Sequence, residues 1–452
     1  MGSLRRAGRG KIMTQALLCR NACERAARLF LVVVVGTGLA VLSCGGRKDE
    51  KAAKPETRGA APAAVHPVPA GSTLYLAQAQ FVSETGPDGK TRSVPGPARL
   101  SIWTSGQSGW AEEVLEDPES NVFHKAVWFE PPAGAGEPGI LTIGATRAFL
   151  KLWRKEGGAW KGETLWNPTF GGKWDRLRDF EIADVTGDGV PEIVVVTHDQ
   201  GVIGVVSWTG SAWSAEEIGR TANTFVHEVE TGDVDGDGVV EIFTTPSLPN
   251  KLDGTPQPGE IDLYEFSGGR WAREIVDTLA TRHAKEILCA TLDGETHPVL
   301  FASLEGENIG GAEPSGDNTR IRLYRWSGGR VDKTDIAGLP GNLCRFLTHA
   351  DTDGDGKKEL IASTKSNGIW KLTPSAPGTE WEKALIATGT SGFEHATIPA
   401  DFDGDGKSEI YVASDDQKEL RCYWYDNGEY RMQVIGPIEG KPFTFNVTAR
   451  KM

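Results

Sequence analysis

One short pattern recurs seven times along this chain, and few folds accommodate it. An alternating strand closes on an aromatic or apolar residue, a Gly-rich turn follows, and the next strand often opens on Trp. The copies are Leu100–Trp103 with Trp110, Leu150–Trp153 with Trp160, and Val205–Trp208 with Trp213. Ile261–Phe266 with Trp271, Ile321–Trp326 with Val331, Ile369–Leu372 with Trp381, and Leu420–Tyr425 with Tyr430 complete the series. The period is about 48–60 residues, and two more strand-like runs fit between successive hairpins. Short β-branched and aromatic runs separated by Gly mark an all-β chain.

A four-stranded unit has two faces to bury and cannot do so alone, so such units pack face to face around an axis. The expectation is a seven-bladed β-propeller over residues 73–452, with four antiparallel strands per blade. An open array would expose strand edges. The run Phe443–Thr448 resembles the strand that begins at Phe225, and no hairpin follows it. Leu74–Ala77 opens the first blade without an inner partner. The C-terminal strand is therefore expected to close the ring as the innermost strand of blade one. The fixed place of the Trp residues makes them packing groups between sheets rather than stacking platforms for sugars or bases. Trp128, Trp166 and Trp174 fall outside the pattern.

Residues 1–43 do not belong to this fold. Seven basic residues, from Arg5 to Arg28, precede an apolar run from Leu29 to Leu42. That run is too short for a spanning helix, which needs about 20 residues, and reads as a signal-peptide core. It ends at Leu42-Ser43-Cys44-Gly45, which resembles a lipobox and implies lipidation of Cys44. Residues 44–72 then read as the lipidated Cys and a disordered tether rich in Ala and Pro. The formal net charge is −14, and losing 1–43, with its seven bases and single acid Glu24, makes it −20. Such a surface repels nucleic acid and anionic membranes, so a lipid rather than a basic patch would hold the protein at the cell envelope, the outer membrane in preference to the inner. Cys289, Cys344 and Cys422 remain, an odd set lying in apolar runs, which reads as buried thiols.

Four segments share one template: Asp184 to Glu192, Asp233 to Glu241, Asp351 to Glu359 and Asp401 to Glu409. Side-chain oxygens at positions 1, 3 and 5 converge when the chain curls around a cation, and Gly at position 6 permits the turn. These are Asp184, Thr186 and Asp188; Asp233, Asp235 and Asp237; Asp351, Asp353 and Asp355; and Asp401, Asp403 and Asp405. The position-7 carbonyls of Val190, Val239, Lys357 and Lys407 join the shell, and Glu192, Glu241, Glu359 and Glu409 close it. Fifteen carboxylates in four tight turns repel one another without a cation. Hard, many-coordinate, irregular oxygen sites suit Ca2+ better than Mg2+. An EF-hand loop carries Glu at position 12 and leads into a helix, whereas position 12 here is Val195, Thr244, Ala362 or Val412 within a strand-like run. The loops therefore join two strands. In this they resemble the FG-GAP or VCBS repeat of integrin-like propellers, most closely from Phe225 to Gly238, though the Gly-Ala-Pro element after the second strand is missing. The resemblance implies about four structural Ca2+ sites. The segments Glu130–Pro138 and Cys289–His297 read as degenerate copies without a site.

Six positions before each loop stands His124, Arg178, His227, His283, Arg345 or His395, with Phe445 at the matching place in the closing strand. Such a register would ring the central channel. Two readings stay open: ties to the neighbouring blade's backbone, or a ligand site for an anion, a sugar acid or a divalent metal. For the whole chain the leading expectation is a non-catalytic calcium-binding module for an envelope protein or glycan. The alternative is an enzyme acting on acidic sugars, a polysaccharide lyase or sugar dehydratase, through the His/Arg ring.

Overall fold

The computed structural model describes residues 66–171, 175–249, 257–306, 316–376, 379–440 and 442–451. The leader, Cys44 and Trp174 lie outside the described residues, as does the segment 44–65.

The described residues form strands and turns only. The first group comprises β1 (Thr73–Thr85), β2 (Thr91–Pro95), β3 (Ala98–Gly106) and β4 (Gly109–Asp117). There follow β5 (Val122–Phe129), β6 (Gly139–Ala145), β7 (Leu150–Glu156) and β8 (Ala159–Trp166), then β9 (Leu177–Ala183), β10 (Glu192–Thr197), β11 (Val202–Trp208) and β12 (Trp213–Arg220). Next are β13 (Phe225–Gly232), β14 (Glu241–Ser247), β15 (Gly259–Ser267) and β16 (Arg270–Leu279), and β17 (Ala284–Ala290), β18 (Val299–Leu304), β19 (Asp317–Ser327) and β20 (Arg330–Pro340). The last are β21 (Cys344–Ala350), β22 (Glu359–Thr364), β23 (Ile369–Thr373) and β24 (Glu382–Ala387); β25 (Thr397–Ala400), β26 (Glu409–Ser414), β27 (Glu419–Asp426) and β28 (Glu429–Pro437); and β29 (Pro442–Arg450). Five antiparallel four-stranded sheets run from β9 to β28 in chain order. A nine-stranded sheet joins β1–β8 and β29, its two parts linked by the single pair Ala79↔Val122.

The recurring hairpins are the third and fourth strands of these sheets. Trp208 faces Trp213, Phe266 faces Trp271, Trp326 faces Val331 and Tyr425 faces Tyr430 across the strand pair. Second strands are buried throughout, as in β10 (Glu192–Thr197) and β22. Fourth strands are largely exposed, as in β12 and β24. This gradient follows from stacking: an inner strand has a sheet on each face, an outer one has water. Aromatics bridge adjacent sheets, with Trp326 on Phe243 at 5.3 Å, Trp381 on Phe301 at 5.7 Å, and Trp110 on Tyr411 at 6.0 Å. Burial of such rings contributes area and specific edge contacts, each worth about 0.5–1.5 kcal/mol beyond the area.

The C-terminal strand β29 pairs antiparallel with β1, Leu74 opposite Ala449 and Leu76 opposite Val447. The innermost strands pack in sequence, β5 on β9, β9 on β13, β13 on β17, β17 on β21, β21 on β25, β25 on β29, and β29 back on β5. Residues 66–72, expected as the end of a free tether, are instead fastened. Val68 packs into an apolar cluster with Trp103, Tyr411 and Cys422, and the Gly71 N–H donates to the Ser105 carbonyl at 2.9 Å. An apolar side chain at the sheet edge outweighs the entropy of a few residues. Cys289, Cys344 and Cys422 are free thiols, the latter two buried.

Candidate functional site

The Asp-rich loops connect the innermost strand of a sheet to the second one. Two glycines allow the curl: in the second loop Gly236 has φ 79° and Gly238 φ 90°, left-handed values that a Cβ would strain. The position-1 acid then caps the turn from inside. Asp233 Oδ1 accepts from Gly236 N at 2.7 Å and Oδ2 from Gly238 N at 3.1 Å. Asp184, Asp351 and Asp401 do the same in their own loops. Asp237 Oδ1 accepts from Val239 N at 2.8 Å, and Glu241 Oε2 from Val234 N at 2.9 Å. Backbone N–H groups thus hold both oxygens of Asp233 and one each of Asp235, Asp237 and Glu241. Ligand oxygens of Asp233, Asp235, Asp237 and Glu241 lie within 4.8 Å of one another. So do those of Asp351, Asp353 and Asp355, and of Asp401, Asp403 and Asp405. In the first loop Thr186 replaces the middle acid, and its hydroxyl donates to Glu192 Oε1 at 3.2 Å.

The closing glutamates show the strain of this crowding. Burial, with Asp235, Asp233 and Asp237 as like-charged neighbours, pushes the Glu241 carboxyl up to about 7. Burial also raises Glu192 and Glu359 above the ordinary carboxylate range. A cation would reverse that cost, and an all-oxygen donor set on a flexible turn fits Ca2+. The loops differ in what the protein itself supplies. In the third, Lys371 Nζ bonds Asp353 and lies 3.6 Å from Glu359. In the fourth, His66 Nε2 lies 2.9 Å from Glu409 and 3.6 Å from Asp403. The first and second loops have no such protein cation among the described contacts. Neither Lys371 nor His66 was signalled by the loop template, because both come from elsewhere in the chain.

The opposite end of the inner strands carries a repeated β-bulge. The extra residue is His124 in β5, Arg178 in β9, Arg345 in β21 and Phe445 in β29, and two residues, His227 and Glu228, oppose one in β13. In β17 the bulge falls at Lys285, not His283, since Ala290 pairs with Val299 and sets Thr291, not Cys289, as the first turn residue. The turn is as long as those of the acid loops, but its Asp293-Gly294 pair occupies positions 3 and 4 of the template, whereas taking Cys289 as the first position sets it at positions 5 and 6. His395 precedes β25 with φ 56°.

Most of these groups reach a neighbouring strand or sheet. His124 Nδ1 lies 2.6 Å from the Leu177 carbonyl, and His395 Nδ1 2.7 Å from that of Thr364. Arg345 bonds Glu305 at 3.0 Å and Glu394 at 2.9 Å. Arg178 lies 3.4 Å from Glu228, and Lys285 Nζ bonds His227 Nε2. His283 bonds the Gln257 carbonyl at 3.2 Å and lies 3.0 Å from Glu305. Carboxylates absent from the sequence reading complete the ring. Asp179 accepts from Val229 N at 3.0 Å and Glu286 from Leu347 N at 3.2 Å, each reaching the next sheet's bulge. Burial lowers Lys285 to about 7 and His395 to about 4. His124, Arg178 and Arg345 do meet, with Glu228, Glu286 and Phe445, around a cavity of about 10 Å³. That is room for roughly one water molecule.

Radially stacked four-stranded antiparallel sheets with metal-type loops on their inner hairpins define a β-propeller protein of the repeat-loop kind. Residues 184–244, which span the first two loops, match the model of the FG-GAP-like repeat. The chain thus carries an FG-GAP-like repeat within a β-propeller fold. No curated protein matches the sequence. Two solved structures share the fold. A protein from Lactobacillus plantarum is 10% identical with a TM-score of 0.51, covering 84% of this chain and 100% of that one. A hypothetical selenium-binding protein from Sulfolobus tokodaii is 12% identical with a TM-score of 0.51, covering 84% and 94%.

Proposed function

We propose that this chain is a seven-bladed, calcium-dependent binding or scaffold module of the cell envelope, lipid-anchored through Cys44 and directed at a protein or glycan partner. The propeller repeat fold suggests such a module. The blade count rests on splitting the nine-stranded sheet at its single Ala79↔Val122 pair, with β29 as the innermost strand of the first blade. The observation that carries the calcium reading is the second loop, where four carboxylates converge and each is already oriented by backbone N–H groups. Calcium there would be structural, locking inner hairpins whose carboxylates otherwise repel.

Extracellular calcium modules bind on the order of 0.1–1 mM. A site at ten times its dissociation constant adds roughly 1.4 kcal/mol. Calcium titration followed by calorimetric melting tests this: Tm should climb with free Ca2+ and fall in excess chelator. A melting curve indifferent to chelator would end the reading. The buried ion-pair ring supports a non-catalytic module over a sugar-acid enzyme, since Arg345 already holds two carboxylates and the cavity has no room for a sugar.

A further inference from the structure

The fourth loop departs from the others in a way that calcium alone does not explain. The His66 side chain is only 9% exposed, although Pro67, Pro69 and Ala70 beside it are exposed. Its backbone N–H donates to Gln433 Oε1 at 3.0 Å and its ring lies on Trp424, with centroids 5.3 Å apart. These two contacts aim Nε2 into the loop. There it stands 2.9 Å from Glu409 Oε1 and 3.6 Å from Asp403 Oδ2. Yet Nε2 is a buried atom whose contact with Glu409 falls short of good hydrogen-bond geometry. An imidazole nitrogen and two carboxylates thus cluster at one place in the fold. Their ligand atoms all lie within 4.8 Å.

The spacing discriminates between cations. A tetrahedral ion with bonds of about 2.0–2.1 Å places its ligand atoms about 3.3 Å apart, between the two distances seen here. Calcium bonds are longer, about 2.3–2.6 Å, and calcium takes oxygen rather than imidazole nitrogen. Imidazole with carboxylates suits zinc and its first-row neighbours. A cavity of about 200 Å³, bordered by His66, Glu409 and Trp424, opens beside the three donors and leaves space for a water or exogenous ligand as the fourth.

We propose that His66, Asp403 and Glu409 form a transition-metal site of the Zn2+ class, which fastens the N-terminal segment to the fourth loop. The proposal rests on reading the loops as cation sites but assigns this one a different ion. The metal would tie His66 to a loop and strand that lie more than three hundred residues later in the chain.

The test uses the whole chain stripped of metal, with Co2+ as spectroscopic probe and Zn2+ as competitor, in buffers with and without Ca2+. One equivalent of Co2+ should give visible absorption bands of a nitrogen-ligated, low-coordinate ion, and Zn2+ should bleach them. His66→Ala should abolish the bands and weaken Zn2+ binding at least tenfold, with its melting curve in Ca2+ showing that it folds. Lys161→Ala, exposed on β8, should leave both readouts unchanged. Equal Zn2+ titrations for wild type and His66→Ala would overturn the proposal. So would the uptake of one extra Ca2+ by His66→Ala, which would make His66 a plug that excludes cations. A chain that binds Co2+ through His66 but ignores Ca2+ would end the calcium reading and leave this site standing.

Discussion

The two ends of each inner strand concentrate charge in opposite ways. At the turn end, acids face acids: Asp233, Asp235, Asp237 and Glu241 converge, and nothing cationic from the chain enters. At the bulge end, bases face acids: Arg345 with Glu305 and Glu394, Arg178 with Glu228, Lys125 with Asp179 at 3.0 Å. The bulge end is buried and supplies its own bases, although burial and the neighbouring Asp179 hold Glu228 and Glu286 well above the ordinary carboxylate value. The turn end is more exposed and is left for an outside cation. A burial gradient explains the division. Buried charges cost too much unless they are paired within the fold, whereas loops near water can wait for an ion. The third loop stands between the two, because Lys371 supplies an internal cation to an otherwise external type of site.

The strongest way to break this contrast is Arg345→Ala. It would leave Glu305 and Glu394 buried without a partner, a loss of about 3–5 kcal/mol. Denaturant melts should show it with or without Ca2+. A variant that melts like wild type but loses binding to an acidic sugar would make the ring a ligand site instead.

Asp235→Ala should have the next largest effect, and only when calcium is present. It should remove the second loop's share of calcium stabilisation, roughly 1.4 kcal/mol at ten times the dissociation constant, and change little in chelator. Equal losses under both conditions would mean that Asp235 acts as a turn residue without a metal.

A pH series sharpens the same point. The Glu241 carboxyl is raised to about 7 in the fold, chiefly by burial, against an ordinary 4.5. A raised carboxyl gives stability that is fully present below its unfolded value and is lost as pH rises through the folded one. Chelated protein should therefore lose Tm between about pH 4.5 and 7, and the gain from Ca2+ should grow across that window. Glu241→Gln should flatten part of the slope in chelator; an unchanged slope would place the titration elsewhere.

The smallest effect is expected from Lys371→Met. In chelator it should cost no more than about 1 kcal/mol, as for a partly exposed ion pair. In calcium it should raise the third loop's affinity severalfold, read as a lower midpoint in a calcium titration. If the midpoint does not move, Lys371 and the cation do not compete.

Much of this was legible before any coordinates. Local patterns produce local structures, so the hairpin aromatics, the glycines of the loops and the acids at positions 1, 3, 5 and 9 could be read directly. The closing strand could be read too, since Phe443–Thr448 repeats an inner strand and lacks a hairpin of its own. Counting failed at Lys285, where Asp293-Gly294 was aligned with the second Asp-Gly of the template although it occupies positions 3 and 4, which shifted the register by two residues and made His283 the apparent equivalent.

The amino-acid order thus determined the repeating unit, the four acid loops and the bulge position in most blades, because each depends on residues within a few positions of one another. Only the tertiary structure decided what those groups meet. Asp179 finds Val229 fifty residues on, and His66 finds Glu409 across nearly the whole chain. Partners at such separations are set by how the sheets stack, and stacking is a property of the closed ring rather than of any one repeat.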